Sequence, residues 1–393
     1  MQRIFETDLA GRQTTMKVLI QNRPDAYEVF GGDSVQMIKT AEFLRKLGVQ
    51  VDISLKLAPN LDEYEIVHLM NITRVKFTYA QLINAKKQKK KVVLSPIYWN
   101  TGEVVSAYQR SILGLNDFSS LEELWNACLS SLVNRSLLGQ IAELTQNRAL
   151  ALKVLSKVDR VLPNSHAELE IISRDFADVF RNQEKEVSVI PNGVDADIFW
   201  NASPEAFIRK YGFTDFVLNV GRFSYRKNQL ALVKAMKDTE ADVVFIGESS
   251  RSPSSYYGIK DAIDKLYYQK CKRSADASFK FLGSIPHNEL ASAYAACRVF
   301  ALPSLYETPG LSALEAALSG ANICVTNGGS TREYFSEFAL YCDPYSAASI
   351  RKAILKSYAT PKNSKLKEYI LKNFTWESVA KATLAAYERT LEI

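Results

Sequence analysis

Histidine is scarce in this chain, with three residues (His68, His166 and His287) among 393. Acid–base chemistry led by imidazole therefore has few candidates. Five cysteines (Cys128, Cys271, Cys297, Cys324 and Cys342) are scattered and never spaced as CxxC. That pattern argues against a disulfide scaffold or a zinc ribbon and for a reducing compartment. No run approaches the ~18 to 20 apolar residues needed to cross a bilayer. Met1 to Thr15 is polar and mixed in charge, without the apolar stretch of a secretory signal. A GxGxxG dinucleotide fingerprint and 20- to 50-residue repeats are likewise missing. Net charge is only +6, from 49 basic and 43 acidic residues, which is weak for a dedicated nucleic-acid binder. The expected location is cytoplasmic.

What the chain does contain is an ordinary globular composition, 47% hydrophobic and 23% charged. At ~150 residues per domain its length suggests two to three units. Short apolar runs alternate with helical spacing throughout. In the first half, Lys17–Gln21, Val49–Leu55, Ile66–Met70 and Val92–Ser95 read as strands, and Ser34–Leu47 as a helix ending at Gly48. The second half repeats the rhythm. Phe216–Val220, Asp242–Ile246, Phe279–Leu282, Val299–Leu302 and Asn322–Thr326 read as strands, with helices at Gln229–Met236, Asn288–Ala296 and Leu311–Leu318. Such alternation predicts parallel sheets with right-handed crossovers, an α/β fold. Pro191-Asn192-Gly193 punctuates the chain between the two arrays and marks the expected boundary. Residues 101–157 are expected to be a helical insertion, and Trp376–Leu391 a terminal helix.

Three loops carry candidate chemistry. Gly31-Gly32, between the first strand and the first helix, allows close backbone approach to a ligand at a helix N-terminus. Gly221-Arg222 through Lys227 follows a strand and places two cations in one loop. A guanidinium fork and an ammonium suit a diphosphate. Glu307 ends a strand loop, Thr308-Pro309-Gly310-Leu311 leads into a helix, and Glu315 lies on that helix. The N–H groups near Gly310 and Leu311 are free donors at its start. Glu315 sits within the apolar stretch Leu311–Leu318, where a carboxylate needs a partner.

These landmarks resemble the retaining GT-B glycosyltransferases of family 4. Val189–Asp195 resembles the interdomain PNGVD segment, and Arg222 with Lys227 the diphosphate clamp. Gly283 to Pro286, including Ile285, resembles the nucleotide-base loop. Glu307 through Glu315 is similar to the EX7E motif, Gly328-Gly329 with Glu333 to the segment after it, and Phe374-Thr375-Trp376 to the start of the returning helix. The resemblance implies two doubly wound Rossmann-like domains facing a cleft. It implies an N-terminal lead at 1–15, an acceptor-side domain at 16–190, a nucleotide-sugar domain at 191–375, and a helix at 376–393 crossing back.

The resemblance also implies a hexosyltransferase whose nucleotide sugar is a co-substrate, with no cofactor and no metal. Arg222, Lys227 and Glu307 take catalytic roles, and Glu315 holds the ribose. Gly31, Gly32, Gly221, Gly283, Ile285, Thr308, Pro309, Gly310 and Leu311 complete the donor site. The acceptor is expected to be a glycan, lipid-linked or of a cell-surface polysaccharide, and no nucleic acid is involved. The family often places a histidine in the first domain after a strand. Leu94–Asn100 stands there without one, leaving Tyr98 and Asn100 as candidate acceptor or sugar contacts, while His68 reads as a packed strand residue. Asp195-Ala196-Asp197 spells DxD but overlaps the domain crossing, so a hinge or capping role is expected. Lys86–Lys91, five lysines in six positions, reads as a solvated helix end that also suits anionic lipid at the inner face of a membrane. Two other readings are a nucleotide-sugar-binding subunit of weak activity and a sugar-nucleotide epimerase.

Overall fold

The structure is a computed structural model that describes residues 16–99, 146–182, 185–249 and 258–392. Two parallel sheets dominate it. The first has strands β1 (Lys17–Gln21), β2 (Gln50–Ser54), β3 (Ile66–Met70), β4 (Lys91–Ser95) and β5 (Arg160–Val161), in the order β2-β1-β3-β4-β5. The second has β6 (Val217–Val220), β7 (Val243–Ile246), β8 (Phe279–Phe281), β9 (Val299–Leu302), β10 (Asn322–Thr326) and β11 (Leu340–Cys342), in the order β11-β10-β9-β6-β7-β8. Every strand pair is parallel.

Apolar runs become strands here because helices cover both faces, so neighbouring residues are all buried. In β1, Val18 and Ile20 join the core against helix Gly32–Lys46, and Leu19 joins the core on the opposite face. In β6, Leu218 and Val220 point to one layer and Val217 to the other. The expected strands and helices are present, with ends shifted by a residue or two. Residues 100–145 lie outside the described part, including most of the expected insertion. Its described end corrects that expectation. Residues 146–157 form a helix whose Ala151, Val154 and Leu155 are core residues under the first sheet, leading directly into β5. It is a crossover helix of the sheet.

The chain crosses between the sheets twice, side by side. Val194 N donates to Phe374 O at 2.8 Å, and Trp376 N to Val194 O at 3.2 Å. A Cβ on Gly193 would stand 2.6 Å from Trp376 N, so only glycine lets the two strands of backbone meet. Helix Trp376–Glu392 then returns to the first domain, where Trp376, Val379, Ala380 and Tyr387 enter its core. Asp195 serves this crossing. Its carboxylate accepts from Asp197 N (3.2 Å) and pairs with Lys39 of the first domain (2.8 Å). Two of the five lysines in the Lys86–Lys91 run are tied down. Lys86 pairs with Asp159 and Lys90 donates to Asp62 O, leaving Lys87 and Lys89 as the exposed members. Among the described residues, no helix is long and apolar enough to cross a membrane.

Candidate functional site

Strand order decides where a ligand can enter. In an open parallel sheet the loops at the carboxyl ends diverge where the winding reverses, leaving a crevice. In the second sheet the reversal lies between β6 and β9, which are adjacent although far apart in sequence. The loops leaving those two strands carry Gly221–Asn228 and Pro303–Gly310. In the first sheet the reversal lies between β1 and β3, and the loop leaving β1 ends at Gly31.

At this edge Lys227 Nζ donates to Glu307 Oε1 at 2.6 Å, and Arg226 Nη1 approaches the same oxygen at 3.3 Å. Glu307 is 3% exposed. Burial alone pushes its carboxyl upward, but Lys227 and Arg226 outweigh that effect and hold it below the usual carboxylate range. Burial lowers the Lys227 ammonium, with Glu307 acting against the fall. The Glu307 backbone is also fixed, its carbonyl accepting from Ser330 N at 3.0 Å. A Cβ on Gly329 would lie 2.0 Å from that oxygen, which explains the glycine.

Arg222 lies in the same loop and donates from Nη2 to Phe30 O of the first domain (2.9 Å). It lines a cleft of about 540 Å³ bounded by Glu28 and Phe30 on one side and Gly221, Glu248 and Ile285 on the other. Gly247 is packed where a Cβ would stand 2.2 Å from Gly221 O, so the loops after β6 and β7 close together. Gly283 is at φ +71°, where a Cβ would lie 3.2 Å from Glu248 Oε1. Lys227 adjoins the cleft, its Cε 3.9 Å from the Cβ position of Gly221.

Two helix starts meet nearby. Gly31 caps helix Gly32–Lys46, and the Cβ position of Gly32 is 4.0 Å from Leu311 Cδ1, at the start of helix Leu311–Leu318. Thr308-Pro309 forms the turn before it, and the peptide between them is cis. Gly310, at φ +86°, leaves Glu307 Oε2 3.6 Å from where its Cβ would be. Unpaired N–H groups at helix starts favour an anion. Glu315 has partners: Tyr294 donates its hydroxyl to Oε2 (2.9 Å), and His287 Nε2 lies 3.5 Å from Oε1. The His287 imidazole is raised, first by that hydrogen bond.

The first-domain candidates divide. The Tyr98 hydroxyl donates to Asp175 (2.9 Å) and its ring packs on Phe176, so this side chain turns into its own domain. Asn100 lies outside the described residues. Trp99, which the motif reading passed over, reaches the second domain and stacks on Tyr306, with centroids 6.3 Å apart. Arg226 was also passed over, although its place beside Lys227 was a signal. His68 is a structural residue, bonded to Tyr387 OH (2.7 Å) and Ser95 Oγ (2.9 Å), and burial drives its pKa to about 3. Glu333 binds across the domains, accepting from His166 N (2.8 Å) and Ala167 N (2.5 Å) at a first-domain helix start.

Residues 205–373 match the family model described as glycosyl transferases group 1. The matched segment lies in the second domain and makes up 169 of the 393 residues. An uncharacterized glycosyltransferase of Methanocaldococcus jannaschii is 22% identical, over 93% of this chain and 96% of its own. Sucrose-phosphate synthase from Thermosynechococcus elongatus superposes with a TM-score of 0.72 at 18% identity, covering 95% of this chain and 98% of that one. Anabaena HepE, solved in complex with UDP-glucose, gives 0.65 at 16%, covering 95% and 100%. The structural likenesses cover both domains and show the two-domain GT-B fold.

Proposed function

We propose that the protein is a metal-independent, retaining hexosyltransferase that moves a sugar from a nucleotide-sugar donor to a glycan, lipid-linked or of a cell-surface polysaccharide. The observation that carries this reading is the cluster of Arg222, Lys227 and Glu307 at the reversal of the second sheet, beside a cleft between the domains. Arg222 and Lys227 would bind the donor diphosphate at the start of helix Leu311–Leu318. During transfer the bond from the anomeric carbon to the diphosphate oxygen breaks, and positive charge grows on the sugar as negative charge grows on the leaving group. Fixed cations and helix-start N–H groups stabilise that separation more than the ground state. The acceptor hydroxyl attacks from the same face as the leaving group, and its proton passes to a diphosphate oxygen. Glu307 Oε2, beside the bare Gly310, orients sugar hydroxyls, and Glu315 binds the ribose.

The test is incubation with UDP-, GDP- and dTDP-sugars in EDTA, recording heat of binding and nucleotide release. Release in EDTA supports the reading, and release only with added divalent metal contradicts it. Binding without release in the presence of glycan acceptors would instead describe a nucleotide-sugar-binding subunit. HepE, crystallised with UDP-glucose, makes that sugar the first donor to try.

A further inference from the structure

Two cations share one oxygen of Glu307, although one charge suffices to neutralise it. Lys227 and Arg226 both address Oε1, at 2.6 and 3.3 Å. If Lys227 turns toward a donor diphosphate, the buried carboxylate loses its nearest partner at the moment it must hold a sugar. Arg226 is placed differently. Its Nη1 also donates to Tyr306 O (3.0 Å), and its guanidinium lies 5.5 Å from the centre of the Trp99 ring. Trp99 in turn stacks on Tyr306 at an interplanar angle of 24°. Arg226 is thus bound to the Glu307 loop on one side and packed against the first domain on the other. A guanidinium on an aromatic face is held by cation–π attraction while its N–H fork stays free to bond.

We propose that Arg226 is a positioning residue that keeps the Glu307 carboxylate in place and balances its charge when Lys227 engages the donor, and that Trp99 of the opposite domain seats it. This rests on the donor reading above for Lys227. It ties the condition of the second-domain carboxylate to the docking of the first domain, because without Trp99 the guanidinium loses its cross-domain support. The other charged groups around this spot are Arg222 beside Lys227, and the Glu168 and Glu333 carboxylates and the Arg174 guanidinium, which act on the Tyr306 phenol.

A donor-free experiment reads the charge balance directly. Melting temperature is followed from pH 5 to 8 for Lys227→Met and for Lys227→Met with Arg226→Gln. With Arg226 alone remaining, Glu307 stays ionised and the melting temperature follows the pH profile of the wild type. Without either cation, burial raises the folded-state pKa above the unfolded value of about 4.5, so melting temperature falls relative to that profile as pH rises. Equal slopes in the two proteins would overturn the proposal. The second arm keeps Lys227 and needs no double variant. With UDP-glucose and GDP-mannose as donor probes, Arg226→Gln should lower kcat at least tenfold and move the acid limb of the pH profile up by about one unit. Its UDP and GDP dissociation constants should stay within threefold of the wild type. Arg226→Lys and Trp99→Phe should recover most of the activity, while Trp99→Leu shifts the limb in the same direction as Arg226→Gln. An unmoved acid limb in Arg226→Gln also overturns the proposal. Failure of the wild type to cleave any donor would sink the donor reading, and the thermal arm would still decide the role of Arg226.

Discussion

Glu307 and Lys227 form a buried pair in which each offsets part of the cost of burying the other; Arg226 adds to the balance for Glu307 and works against the Lys227 charge. Replacing one member therefore has two effects, loss of transition-state stabilisation and an uncompensated charge. Lys227→Met should reduce turnover by about 10²- to 10³-fold, as expected for removal of a group that stabilises developing charge. Glu307→Gln, which keeps shape and one acceptor oxygen, should fall by a similar factor while the protein stays folded by circular dichroism. Wild-type turnover of Lys227→Met at saturating donor would remove that lysine from the site. Glu315 has a different environment, bonded to Tyr294 and near His287, so Glu315→Gln should weaken binding of the nucleoside part about five- to tenfold with kcat little changed. Titration calorimetry with nucleoside and nucleoside diphosphate separates the two cases. At this scale the residues with unusual chemistry were legible: paired acids at a loop and helix, and cations after a strand. Arg226 carried a signal only in its place beside Lys227, and Trp99 carried none, because it belongs to the other domain and meets Arg226 and Tyr306 only through the fold.

The elements explain why such distant residues meet. Long apolar strands announced themselves, since a parallel strand buried on both faces needs several consecutive apolar residues. β5 and β11, of two and three residues, carry too little pattern to stand out. Several helices were also silent, including Gly258–Ser274, whose composition is strongly polar. Strand order itself cannot be read from periodicity, yet it is what brings the loops after β6 and β9 together. The glycines at crossings are more readable once their role is known. Gly193→Ala would force a methyl within 2.6 Å of Trp376 N, and overpacking of this kind costs about 1–3 kcal/mol. Urea unfolding should show that loss, and hydrogen exchange should show helix Trp376–Glu392 opening more often. An unchanged midpoint would mean the two crossing segments part more easily than their geometry implies.

Across the whole molecule, the returning helix and a small set of polar contacts tie the domains together. Tyr334 donates its hydroxyl to Asn164 O (2.6 Å) and accepts from Asn192 N (2.8 Å), next to the Glu333 contacts at the start of helix His166–Asp175. On the far side, neutral His68 bonds Tyr387 of the returning helix. Its pKa is driven by burial from 6.5 to about 3, so the unfolded chain binds a proton that the folded one refuses. Stability from this group is full above about pH 6.5 and is lost as pH falls toward 3. His68→Gln should flatten the fall in melting temperature between pH 7 and 5. A slope identical to the wild type would show that His68 does not set it. The His68–Tyr387 pairing joins segments 319 residues apart and leaves no local trace in a sequence.

The central claim is that Arg222 and Lys227 grip a nucleoside diphosphate through its phosphates. Its most direct test is calorimetric titration, in EDTA, of the wild type and of Lys227→Met with UDP and GDP and with uridine and guanosine. The better-bound diphosphate should lose at least tenfold in affinity in the variant while its nucleoside binds as before. Equal diphosphate affinity in the two proteins, or a matching loss for the nucleoside, would contradict it.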